Sequence, residues 1–164
     1  MNFEAANQLT IKFKIMRTIL FSGLALFLMA GCGEHISTSK VPNPAVESFQ
    51  SKFPSASNVK WGKENETTYE AEFKMNGQSM SATFDANGSW QETETTIEMK
   101  DVPEPVKNFI HTNYAGYSIR ESEHVETASN GLLYELEIKK GDETLEIKLT
   151  PDGTFLGKSE EDED

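Results

Sequence analysis

The chain has 164 residues, 27 of them acidic against 15 basic, for a net charge of −12. A surface this acidic repels nucleic acid, whose binding needs clustered Lys and Arg to displace phosphate counterions. A single cysteine excludes an internal disulfide and a thiolate zinc site.

The first segment reads as an export signal. Lys12, Lys14 and Arg17 supply a basic end, and Ile19 to Ala30 is an apolar run too short to span a bilayer as a permanent helix. Ala30-Gly31-Cys32 resembles the bacterial lipobox, with Met29 where Leu is most usual. That resemblance implies a lipoprotein signal peptide over residues 1–31 and a diacylglyceryl group on Cys32, the first residue of the mature protein. Translation starts at Met1 or at Met16. Gly33, rather than Asp, follows the cysteine, as in lipoproteins forwarded to the outer membrane, so the expected location is the periplasmic side of that membrane. The lipid is the only membrane contact expected, because the acidic domain is repelled by anionic head groups. Residues 32–40, rich in Ser and Thr, read as a flexible tether.

The rest of the chain repeats itself. Tyr69-Glu-Ala-Glu-Phe-Lys74 returns 65 positions later as Tyr134-Glu-Leu-Glu-Ile-Lys139. At the same shift Met80, Ala82 and Phe84 meet Leu145, Ile147 and Leu149, Gly88 meets Gly153, and Trp90 meets Phe155. Such periodicity marks one supersecondary unit used twice, over residues 41–100 and 101–158.

Each unit predicts a helix followed by four strands. Pro44 to Phe53 places Val46, Phe49 and Phe53 on one helical face, and Pro54 stops it. Strands follow at Asn58 to Lys63, Tyr69 to Met75, Ser79 to Phe84 and Ser89 to Ile97, with turns at Asn76-Gly77 and Asp85 to Gly88. Pro103 or Pro105 opens the second helix, where Val106, Phe109, Ile110 and Tyr114 form the stripe. Its strands are Ser118 to Glu126, Leu133 to Lys139, Thr144 to Leu149 and Thr154 to Lys158. The acidic tail, residues 159–164, repels itself and is expected to be disordered.

Period-two alternation assigns the faces. Tyr69, Ala71, Phe73, Met80, Ala82 and Phe84, with Tyr134, Leu136, Ile138, Leu145, Ile147 and Leu149, point toward the helices. Glu70, Glu72 and Lys74, with Glu135, Glu137, Lys139, Glu146 and Lys148, point the other way. The expected fold is α+β: two four-stranded antiparallel meanders joined into one continuous concave sheet, with helices on one face.

The order of elements, Val41-Pro42 and Val102-Pro103 before the helices, Phe53-Pro54, Trp61, and the Phe84-Asp85-x-x-Gly88-x-Trp90 turn with its echo Asp152-Gly153 resemble the PepSY-like, beta-lactamase-inhibitor-protein-like family. The resemblance implies tandem helix-plus-sheet units, export to the cell envelope, and a role in binding or inhibiting other proteins. It carries no inhibitory residue across, because the matching positions are core and turn positions.

No catalytic constellation stands out. His35, His111 and His124 are scattered, without the spacing of a zinc site. No Gly-x-Ser-x-Gly elbow, Cys–His pair or phosphate loop occurs, and no cofactor is expected. The residues left as a binding surface are Glu70, Glu72, Lys74, Glu135, Glu137, Lys139, Glu146 and Lys148, with Trp90 as an aromatic at the rim. Cross-strand charge pairing that merely keeps the sheet soluble is the simpler account of the same carboxylates. The expected function is non-catalytic recognition of an envelope protein or peptide; the alternative is an envelope sensor of a cation or small cationic ligand.

Overall fold

Two proline-led helices and nine strands follow one another in the computed structural model, which describes residues 35–161. The expected signal peptide (residues 1–31), Cys32 and the final residues 162–164 lie outside the described residues.

Helix α1 spans Asn43–Lys52 and α2 spans Glu104–Asn113. Each begins with proline in its first turn, where the missing N–H costs nothing. Each ends the same way: Phe53 N–H donates to Phe49 O at 2.8 Å, and Tyr114 N–H to Ile110 O at 2.8 Å.

The strands are β1 (His35–Ile36), β2 (Ser57–Lys63), β3 (Thr68–Met75), β4 (Gln78–Asp85), β5 (Trp90–Thr96), β6 (Ser118–Thr127), β7 (Gly131–Lys140), β8 (Glu143–Leu149) and β9 (Phe155–Glu161). They form one antiparallel sheet in chain order, β1 to β9. The halves join where Glu92–Thr96 of β5 pairs with Glu123–Thr127 of β6.

Register proves that both helices share one face. Phe73 lies opposite Met80, Met80 opposite Thr95, Thr95 opposite His124, His124 opposite Tyr134, and Tyr134 opposite Leu149. Directly opposed residues point to the same side, so this row carries the helix side across the whole sheet. Two cores lie along it. The first is aromatic: Phe49 of α1 meets Trp61, Phe73 and Phe84 edge-on, with ring centroids 5.4, 5.1 and 6.3 Å away. The second is aliphatic: Val106 and Ile110 of α2 bury against Leu136, Ile138, Leu145, Ile147 and Leu149. Between them the helix side is lined by buried Thr93, Thr95 and Ser122.

The same turn docks both helices. Asp85 Oδ1 accepts the N–H groups of Asn87 and Ser89, each at 2.8 Å, and Asp152 Oδ1 accepts that of Thr154. Gly88 and Gly153 take φ of 85° and 82°, and a Cβ there would lie 2.5 Å from Pro44 O and 2.7 Å from Pro105 O. Glycine is required on both counts.

Three expectations need correction. The stretch read as a tether is structured from His35: His35 pairs with Gly62, Ile36 pairs with Trp61, and Thr38–Lys40 forms a 3-10 turn. Ile36 packs on the first core, which draws the strand onto the edge of β2. The tail read as disordered continues β9 to Glu161, where ladder bonds to β8 outweigh repulsion between neighbouring carboxylates. Val59, which period-two alternation in its strand puts on the same face as Trp61, is 38% exposed. Asn58 adopts φ 54° and the register shifts between Ser57 and Lys60, a bulge that lifts Val59 from the core.

Candidate functional site

The other side of the sheet is traced by a second row. Lys60 opposes Glu72, Glu72 opposes Ser81, Ser81 opposes Glu94, Glu94 opposes Val125, and Val125 opposes Leu133. Glu72 and Glu137 therefore share this face, two residues from Glu70 and from Glu135 on their own strands.

Among the described residues no helix packs on it, yet much of it is not open. Glu70 and Glu137 are each 8% exposed, Glu135 2% and Glu146 1%, which corrects the expectation that these four present their carboxylates to solvent. Lys74 is exposed; Glu72, Lys139 and Lys148 are half-buried. Val125 and Leu133 are buried beside them. The cause is crowding: long charged side chains from neighbouring strands share one face and shield one another, and the charge of Lys148 on β8 is felt by Glu92 and Glu94 of β5.

Shielding changes their protonation. Burial, then the charge of Glu94, raises Glu70 to about 7. Burial and then Glu94 raise Glu92 and Glu123 to about 8 each. Glu94 itself is raised by burial, against the hydrogen bond that Ser81 Oγ donates to its Oε2 at 2.8 Å. Burial lifts Glu135 to about 9, against the charge of Lys148 and with that of Glu146. Around neutral pH a substantial part of this trough is thus uncharged carboxyl.

Lys148 organises the second half. Its Nζ lies 2.8 Å from Glu135 Oε1 and 2.8 Å from Glu146 Oε1. Burial pushes the ammonium down, but these two carboxylates outweigh it and hold Lys148 well above the ordinary lysine value. Both carboxyl groups are buried around this one ammonium. The two carboxyl groups lie close enough for each to influence the other.

The first half holds a cavity of about 540 Å³ instead. Glu70, Glu72, Ser81, Glu94 and Glu123 line it, together with Lys60, Lys74, Val59 and the strand positions of Phe73 and Met80, whose side chains face the helices.

Trp90 is not on this face, a further correction. Thr83 opposes Glu92 but Phe84 opposes Trp90, so β5 carries one extra residue there and the bulge turns Trp90 to the helix side. Its ring packs on the first core, lies 3.9 Å beneath Lys52 Nζ, and donates from Nε1 to Thr93 Oγ1 at 2.9 Å. The same bulge recurs at Phe155, which stacks on Phe109 at 5.5 Å.

Sequence reasoning missed Glu92, Glu94, Glu121 and Glu123. Their signal was the same alternation, Glu92-Thr-Glu94 and Glu121-Ser-Glu123, in strands assigned without faces. His124 stacks on Tyr134 on the helix side. Among the described residues no group of His, Cys, Asp and Glu is placed to hold a metal ion.

A continuous nine-stranded sheet with two helices on one face matches known proteins. The family model described as "Putative beta-lactamase-inhibitor-like, PepSY-like" covers residues 67–157, from the start of β3 into β9. The chain belongs to the PepSY-like family. Solved structures of the same fold include a DUF2874 family protein from Bacteroides uniformis, 23% identical, with TM-score 0.67 over 73% of this chain and 89% of that one. A BLIP-like protein from Bacteroides fragilis is 18% identical, with TM-score 0.62 over 73% and 86% of the two chains. A protein of Bacteroides eggerthii described as "putative periplasmic" is 19% identical, with TM-score 0.67 over 73% and 88%. No functionally curated protein matches. This PepSY-like family is described as inhibitor-like rather than catalytic.

Proposed function

We propose that the protein acts outside the cytoplasm, anchored through Cys32, by non-catalytic recognition of another protein or peptide on the polar face of its sheet. The observation that carries the reading is the unequal treatment of the two faces. Both helices spend themselves on one side, and the other keeps a polar trough with a 540 Å³ cavity at its first half. The inhibitor-like family and the periplasmic description of a fold relative support the setting and the kind of work. The accessible contacts are Glu72 and Lys74 with the cavity wall, rather than the shielded Glu135, Glu137 and Glu146.

A photo-crosslinker placed at Lys74 on the polar face, or at Glu47 on the exposed side of α1, tests this in envelope extract. One partner captured from Lys74 and not from Glu47 is the expected result. Capture from neither position, or only from α1, removes the proposal. Slowing of an envelope hydrolase by the captured complex separates an inhibitor from a plain binder.

A further inference from the structure

The two halves give an internal comparison of what the polar face does with a positive charge. The 65-residue shift carries Glu135, Glu146 and Lys148 onto Glu70, Ser81 and Thr83. The register agrees: Glu135 opposes Lys148 as Glu70 opposes Thr83. In the second half the Lys148 ammonium bridges two carboxylates at 2.8 Å each. In the first half Thr83 has no amine to offer. Ser81, in the place of Glu146, donates its hydroxyl to Glu94 at 2.8 Å and so returns a carboxylate to the same neighbourhood. Glu70 and Glu94 thus reproduce the pair that Lys148 joins, but among the described residues no lysine or arginine forms an ion pair with Glu70, Glu94 or Glu123. These three carboxylates instead line the cavity, together with Ser81.

Resting on the reading above, we propose that this cavity receives a Lys or Arg side chain from an extended segment of the partner protein, its cationic head lying between Glu70 and Glu94 as Lys148 lies between Glu135 and Glu146. Charge favours such a guest, and Val59 on the cavity wall supplies apolar contact for its aliphatic stem. Lys60 and Lys74, both exposed at the cavity, disfavour a second cation and help set the segment's register.

Binding is coupled to proton release. Glu70, Glu94 and Glu123 all hold their protons above the ordinary carboxylate range. An arriving cation favours their ionised forms, so affinity rises as pH rises. The other charged groups acting on these three are Glu64 and Glu72 beside Glu70, Glu121 and Glu146 beside Glu94 and Glu123, and Lys148, which lowers Glu94. Glu92, opposite Thr83, adds its own raised carboxyl.

Calorimetry on the purified protein tests this with four probes: a short Ser/Thr peptide with a central Arg, its Gln counterpart, spermidine, and calcium chloride, at physiological salt. The Arg peptide is expected to bind at least about tenfold tighter than the Gln peptide, and about tenfold tighter at pH 8 than at pH 6 with measurable proton release. Glu94→Gln weakens it about tenfold. Thr83→Lys, which supplies the ammonium from within, abolishes it while the circular dichroism spectrum is kept. Equal binding of the Gln peptide, spermidine or calcium matching the Arg peptide, or no binding by any probe overturns the inference. If Lys74 still captures a partner and Thr83→Lys leaves that capture unchanged, the inference falls and the proposed function stands; no capture from the polar face takes both down.

Discussion

The two halves share a backbone plan and differ in what fills it. The first core is built of rings packed edge to face around Phe49, the second of branched aliphatic side chains around Val106 and Ile110. On the polar side the second half carries its own ammonium, and the first half carries a cavity. Both solutions fold because burial of an apolar stripe depends on area and fit more than on identity. Buried carboxylates are less forgiving: they need a proton, a cation or water. Carboxyls in both halves hold protons above the ordinary range, but only the second half adds a cation of its own.

Breaking each half at its own weak point sharpens the contrast. Phe49→Ala is expected to cost about 3–5 kcal/mol, since it removes the ring at the centre of the aromatic core. Phe109→Ala, at the matching position but only half-buried, costs less in the same denaturant titration. Lys148→Met leaves Glu135 and Glu146 without their shared ammonium and is expected to cost about 3–5 kcal/mol at pH 8. The loss shrinks toward pH 5, well below the value of about 9 to which Glu135 holds its proton; an equal loss at both values would show that packing, not charge, is at stake.

The carboxylates also set the pH dependence of the whole domain. Glu70, Glu92, Glu123 and Glu135 hold protons in the folded state to about 7, 8, 8 and 9, whereas unfolded they release them near 4.5. The folded state therefore binds more protons between these limits. Stability is greatest near pH 4.5 and falls as pH rises toward 9, by up to about 1.4 kcal/mol per pH unit for each group in its own window. Urea denaturation at pH 5 and pH 8 checks the sign, and Glu70→Gln should flatten the fall.

Smaller effects test the turns. Gly88→Ala is expected to cost about 1–3 kcal/mol, from the φ of 85° and the collision with Pro44 O. Gly77→Ala, at the same φ but in open space, costs about 1 kcal/mol and isolates the conformational part. Smallest of all, Lys52→Ala removes the ammonium above Trp90 and is expected to cost about 0.5–1 kcal/mol. The first half alone should feel this change, because Phe155, in the place of Trp90, stacks on a ring instead.

Most of the fold was legible because alternation and proline placement are local. The eight strands of the repeats and both helices lie within two or three residues of where the pattern puts them. What escaped has physical reasons. Bulges beside Phe84 and Leu149 add a residue to one strand of a pair and reverse the side that parity assigns to Trp90 and Phe155. Ile36 shows no period of its own, and only the free edge of β2 makes it a strand.

The chain's own pattern determined that the halves are siblings, which face of each strand is apolar, and where glycine must stand, since all of these depend on near neighbours in sequence. Only the tertiary structure decided that Glu135 and Glu146 are buried, that Lys148 joins them, and that Glu94 comes to serve Glu70. Alternation tells which side a carboxylate faces; how deeply it is buried there depends on strands that are distant in sequence and adjacent in space.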